Sequence, residues 1–187
     1  MQLSAFLSHF VQRQYQFQNT LGKWVAWGTL SLVIITALVV VLRYGFNTGS
    51  IALQESVMYN HAILFMLGMS YTYTHDQHVR VDVLYSQLDT HKKALVNLVG
   101  TVLFALPVMA FVIWASWDYI GTSWQIKESS AEAGGIAYLY MLKTLIAIMA
   151  GLVMLQSLAV LTQAYLTLFT DVQNNINNEN TETEGRF

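Results

Sequence analysis

The sequence predicts an all-α integral membrane protein, with four transmembrane helices preceded by an amphipathic helix. Three observations carry this expectation. Of 187 residues, 55 % are hydrophobic and only 11 % charged, against about 25 % charged in a soluble domain. The charges leave four uncharged runs: 19 residues between Lys23 and Arg43, 20 between Glu55 and Asp76, 24 between Lys93 and Asp118, and 27 between Lys143 and Asp171. A helix crosses the hydrocarbon core in roughly 20 apolar residues, so each run is long enough. The runs are also apolar all round, whereas helices of a soluble bundle keep a polar face.

Residues 1–23 come before the first run. Leu3, Phe6, Leu7, Phe10, Val11, Phe17 and Leu21 fall near one helical face, and Gln2, Gln12, Arg13, Gln16 and Asn19 lie elsewhere. That is the pattern of an amphipathic helix lying in the membrane interface. The transmembrane domain follows over 24–171. Its first run exceeds the core of a cleavable signal, about 7–15 residues, and is expected to be retained. In the second run His61 is the one titratable residue well inside a span, six residues beyond Glu55 or roughly 9 Å deeper. It reads as a neutral histidine bonded to a neighbouring helix. In a different class of protein, the membrane anchor of a redox complex, it would be a haem ligand, but a bis-His site needs a mate at similar depth. Pro107 in the third run deprives the Leu103 carbonyl of its helical partner and predicts a bend. Small residues recur at Gly68/Thr72 and Ala147/Gly151, where helices can approach closely. The fourth run would measure roughly 40 Å as a helix, more than the core, and must tilt or project. The tail, 172–187, is polar, acidic and low in complexity, a composition that predicts disorder.

The connections carry the charges. HVRVDVLY, residues 78–85, alternates Arg80 and Asp82 with Val79, Val81 and Val83, which suits an extended strip. The connection between the third and fourth runs is long; it contains Trp124, Lys127, Glu128 and Glu132, and the Gly134–Gly135 pair breaks regular structure there. Basic residues set orientation. With the N-terminus inside, Arg13, Lys23, Arg80, Lys92, Lys93 and Arg186 face the cytoplasm, against Arg43, Lys127 and Lys143 outside. The expectation is therefore N-in, C-in. Trp24, Trp27, Trp114, Trp117 and Trp124 flank span ends, where tryptophan anchors at the headgroup level.

Composition also removes function classes. The net charge of −2 gives no nucleic-acid footprint, and the absence of cysteine excludes disulfides, Fe–S clusters and zinc thiolate sites. An acid or base at mid-membrane costs about 2.5–3.5 kcal/mol on insertion scales and marks solute or proton pathways. Here every Asp, Glu, Lys and Arg stays at the ends of the runs. No catalytic, metal or cofactor site is expected, and an enzyme is not. A chain with apolar helices, charged rims and no interior site is suited to supporting another subunit.

LRYGFNTGSIALQESVMYNHAILFMLGMSYTYTHDQHVRVDVLY, WASWDYIGTSWQIKESSAEAGG and YMLKTLIAIMAGLVMLQ together resemble the small membrane subunit of tripartite ATP-independent periplasmic (TRAP) transporters, the DctQ-like family, over about residues 24–165. The RY ending the first span, the QES opening the second and the HVRVDV strip come in the family's order and spacing. The likeness is nearest to the subgroup associated with 2-oxo acids and other organic acids. It implies a four-helix subunit of the bacterial inner membrane, in a symport system without a cofactor. Its partners would be a large elevator-type permease and a periplasmic substrate-binding protein. Arg80 and Asp82 would fix the strip against the large permease or the subunit's own helix ends. Arg43, Glu55, Trp124, Lys127, Glu128 and Glu132 would be candidates for docking the binding protein, although Arg43 and Glu55 bracket one short loop and would alternatively pair with each other. Two positions depart from the subgroup pattern, Ala137 after the glycine pair and Ala147 in the fourth span, where proline is common.

Overall fold

A computed structural model describes residues 2–75, 85 and 88–184, with side chains over 5–75, 85 and 88–168. Every element among the described residues is helical. Helix α1 spans Gln2–Gly45, α2 Ile51–Thr74, α3 Thr90–Gly100, α4 Leu106–Gln125 and α5 Leu139–Glu184, and a π turn, Thr101–Ala105, joins α3 to α4. Three stretches are long and apolar enough to cross a membrane by length and composition: Ala5–Gly45, Thr90–Gln125 and Leu139–Leu168. Helix α2 does not join them, because Gln54, Glu55, Asn60, His61 and the Ser70–Thr74 run dilute its apolar content. Its 24 residues still measure roughly 36 Å.

The boundary at residue 23 falls inside α1, and the boundary at 171 falls inside α5. No glycine or proline interrupts 172–184, and the backbone is helical to Glu184, just before Gly185. The N-terminal segment turns inward the side that carries Leu7, Val11 and Leu21, where Gln14 and Gln18 stand at helical spacing among them, and Gln12, Arg13 and Gln16 are exposed. Phe6 and Phe17 are exposed, whereas Gln14 and Gln18 are buried.

Why glutamines are inside becomes clear from the packing. Gln18 is fully buried; its Nε2 donates to the Leu152 carbonyl of α5 at 3.2 Å, and its Oε1 accepts from the Ser70 hydroxyl of α2 at 2.7 Å. One amide therefore joins three helices. The α1–α2 seam continues with small and polar residues in antiparallel order. Gly22 lies against Tyr71, Gly28 against Leu64, and the Asn60 amide donates to the Ser31 hydroxyl. Helix α5 packs on α1, α2, α3 and α4. Its inward residues are Ala150, Val153, Gln156, Ser157, Ala159 and Ala164, mostly small. That composition is how helices approach one another in a membrane, where lipid is as apolar as leucine.

Pro107 stands at the start of α4. Because it has no N–H, the turn before it opens to the wider π form, in which the Leu106 N–H donates to the Thr101 carbonyl five residues back. The anticipated bend is a register change built into the helix.

The α1–α2 seam makes a direct prediction. A Cβ added at Gly22 would overlap the Tyr71 ring, with Cε2 at 2.7 Å, and that ring already packs on His75 with centroids 4.3 Å apart. Gly22→Val should destabilise the purified protein by about 1–3 kcal/mol, the usual range for overpacking. A melting curve in detergent checks it; Gly68→Val, with open space around the added atoms, should melt close to the unmodified protein.

Candidate functional site

The densest polar network among the described residues sits where the α4–α5 loop, residues 126–138, folds back on the first turns of α2. It begins at the end of α4. The Glu128 N–H donates to the Ser123 carbonyl at 3.0 Å and the Lys127 N–H to the Trp124 carbonyl at 3.4 Å, the paired bonds of a Schellman ending. Glycine usually fills the left-handed position of that motif, but here Lys127 does, with φ of 49°. A side chain in that conformation costs roughly 1–2 kcal/mol. The Lys127 ammonium lies 4.6 Å from the Trp124 ring centre and 5.0 Å from that of Tyr140. Exposed cation–π contacts contribute about 0.5–1 kcal/mol each, so the two together offset most of the strain.

Two further contacts tie α4 to α5. The Trp124 indole N–H donates to the Thr144 hydroxyl at 2.8 Å, and its ring meets Tyr140 edge-on at 4.7 Å. The Lys143 ammonium donates to Glu128 Oε2 and lies 4.0 Å from the Tyr119 ring centre.

The loop is then closed onto α2 by one carboxylate. Glu55 Oε1 accepts from the Ser130 hydroxyl, and Oε2 accepts from the Ile136 N–H at 2.5 Å. The Ser130 N–H donates to the Ile136 carbonyl at 3.0 Å, closing a small ring of backbone. Gly135 sits inside it. A Cβ there would lie 2.6 Å from Ser130 Cβ and 2.8 Å from Glu55 Oε1, so only glycine lets the carboxylate reach. Gly134 supplies the reversal, with φ of 81°.

The residues anticipated for this end divide into two sets. Glu55, Trp124 and Glu128 are engaged inward. Lys127 and Glu132 are exposed on the loop and Arg43 is exposed at the end of α1. Glu55 does not pair with Arg43; its oxygens serve the loop instead. Arg80 and Asp82 lie outside the described residues. The sequence reading missed Ser130, Ile136, Tyr140 and Thr144, and the Gly134–Gly135 pair was the only local signal pointing to a constrained turn. His61 is exposed on α2 and stacks on Phe65. No group of three or more His, Asp or Glu side chains is poised to hold a metal among the described residues.

The Glu128–Lys143 pair sets a pH dependence. The Lys143 ammonium holds the Glu128 carboxyl below the usual carboxylate range. A carboxyl whose folded-state value is depressed contributes stability that is complete above its unfolded value, about 4.3, and is lost as pH falls through the lower folded value. The unmodified protein should therefore melt higher than Glu128→Gln at pH 7, and the gap should close as pH drops below about 4. Melting curves of both proteins at the two pH values check the sign.

The comparisons with known proteins bear on the whole chain. The family model described as "Tripartite ATP-independent periplasmic transporters, DctQ component" matches residues 32–167. A protein of Haemophilus influenzae named as a TRAP transporter small permease protein is 34 % identical over 84 residues, covering 45 % of this chain and 52 % of that protein. The chain thus spans about half the length of that curated relative. No solved structure matches. With the family model covering well over half of its residues, the chain belongs to the DctQ family, the small permease component of tripartite ATP-independent periplasmic transporters.

Proposed function

We propose that this small permease subunit serves a secondary-active, binding-protein-dependent uptake system for organic acids, with 2-oxo acids the nearest class, in the bacterial inner membrane. The match over residues 32–167 carries the reading. Its role is to brace a large elevator-type permease and to help dock the periplasmic binding protein. All four runs cross the membrane, α2 included, with both termini in the cytoplasm and residues 1–23 emerging along the inner interface. Basic residues favour that orientation, and α2 is supported by its length and by its place between α1 and α5. On the cytoplasmic side Arg80 and Asp82 fix their strip to the large permease or to the subunit's own helix ends. On the periplasmic side Lys127, Glu132 and Arg43 meet the binding protein, while Glu55, Glu128 and Trp124 hold the loop in shape for it. The family assignment leaves the redox-anchor reading without support.

The absence of cysteine makes topology directly testable. Single cysteines at Thr48 and Glu132 should react with a membrane-impermeant maleimide added to intact spheroplasts, and one at Thr90 only after lysis. Labelling of Thr90→Cys in intact spheroplasts would reject N-in, C-in, and labelling of both Thr48→Cys and Thr90→Cys there would reject the α2 span.

The partner reading is tested by tagging this chain alone and co-expressing it with the large permease of its system. A stable complex should co-purify, and in proteoliposomes it should take up organic acid only when the binding protein is added. Lys127→Glu with Glu132→Lys should weaken uptake at low binding-protein concentration while leaving the complex intact. Unchanged uptake would reject docking through this loop.

A further inference from the structure

The outer surfaces of α1 and α4 are both apolar, but they differ in kind. Between Trp27 and Tyr44 the large exposed side chains of α1 are Leu30, Val33, Ile34, Leu38, Val40 and Val41. They are aliphatic throughout, with aromatics only at the two ends, which is the pattern of a face against lipid tails. Helix α4 breaks it. Trp114 and Trp117 stand 75 % and 66 % exposed, and beside them is Asp118, also exposed. These residues, with Ala110, Ile113 and Ala115, line a shallow concavity of about 650 Å³. Positions 114 and 118 fall on the side of α4 opposite Val112, Ser116, Ile120 and Ser123, which are its less exposed residues, with 110 and 117 at the edge of that outer face.

Asp118 makes no hydrogen bond or ion pair with any described residue. Trp114, Trp117 and Trp124, all anticipated at the headgroup level, span ten residues of one helix, roughly 15 Å, and cannot all lie there. With Trp124 at that level, Asp118 is roughly 9 Å further in and the two exposed tryptophans are deeper still. Of the lysines at this end, Lys143 is engaged by Glu128 and Tyr119, and Lys127 lies over Trp124 and Tyr140. A carboxylate facing lipid at this depth is costly, and such residues normally face protein and pair. Tryptophan is also enriched at protein interfaces. We infer that the Trp114–Trp117–Asp118 face of α4 is the seat of the large permease subunit, with a lysine or arginine of that subunit placed against Asp118, while the aliphatic face of α1 looks into lipid. The inference rests on the proposed assembly with the large permease and names the face that makes it.

The test uses the full complex, co-expressed in cells. p-Benzoylphenylalanine replaces Trp114 in one version of this chain and Ile34 in another, and each is irradiated in membranes. Position 114 should give an adduct with the large permease, and position 34 should give none. Separately, Asp118→Asn should lower the recovery of the large permease on the tagged chain by about thirtyfold or more, as removing one member of a desolvated charge pair does, and Asp118→Glu should restore most of it. An adduct from position 34 and not from 114 overturns the assignment of the face while leaving the assembly standing. Adducts from 114 with the binding protein or with a second copy of this chain overturn it too. Full recovery with Asp118→Asn overturns the charge pairing. If the unmodified chain brings down no large permease, the assembly itself fails, and with it the inference.

Discussion

Gln18 is the contact on which the bundle depends. A soluble core is assembled because apolar side chains leave water, but lipid gives leucine no such reason to move inward. What remains is close packing and hydrogen bonding between helices. Gln18 uses both ends of one amide for this, reaching Leu152 on α5 and Ser70 on α2 from α1. Because it fixes three helices at one height, the rest of the α1–α2 seam follows in register, with Gly22 against Tyr71 and Ser31 beneath Asn60. The distribution of side chains is accordingly inverted relative to a soluble bundle. Gln18, Ser70, Ser123 and Ser157 are the largest fully buried side chains, while Leu103, Phe104, Phe111 and Trp114 face outward.

That inversion also explains how much of the molecule was legible in its sequence. The helical class was plain, because charge spacing along the chain requires no knowledge of packing. The amphipathic segment was legible as a helix with one apolar side, but the two glutamines on that side were not singled out. Gln14 and Gln18 share that side with Leu7, Val11 and Leu21 and are buried there, and nothing along the chain shows that Gln18 pairs between helices, because its partners Ser70 and Leu152 are far away in sequence. Pro107 was read correctly as a disturbance, but not as a π turn, since the choice between a kink and a register change depends on what neighbours α3 and α4. At the loop, Gly134–Gly135 signalled a break in regular structure. Nothing local to residues 126–138 signalled Glu55, which is 75 positions from Ser130 and meets it only because the α4–α5 loop folds back on the first turns of α2.

The loop shows why charge in a sequence is a poor guide to charge available for binding. Of the six residues expected to meet a partner at this end, two carboxylates and the indole N–H are spent inside the structure. Glu55 closes the loop, Glu128 takes the Lys143 ammonium, and Trp124 bonds Thr144. The strain at Lys127 has the same origin. Glycine would end α4 at lower backbone cost, but glycine has no ammonium to set over Trp124 and Tyr140. The residue used is the one that fixes the loop's exit and keeps a positive charge at its surface.

The proposed bracing role has a physical counterpart in these contacts. A brace must resist shear between its helices, and shear is resisted by connections at both ends. At one end α1, α2 and α5 are held together through Gln18. At the other, α2 is joined to the loop through Glu55, and α4 to α5 through the Glu128–Lys143 and Trp124–Thr144 contacts. Helix α5 takes part in the connections at both ends and packs on each of the other helices. Sliding any one of them by a helical turn would break a hydrogen bond already matched to its partner, with a buried amide or carbonyl left unpaired at the Gln18 end. The π turn before Pro107 lies between the two sets of connections, so it adjusts the direction of α4 without loosening either. Rigidity of this kind is what the proposed bracing role requires.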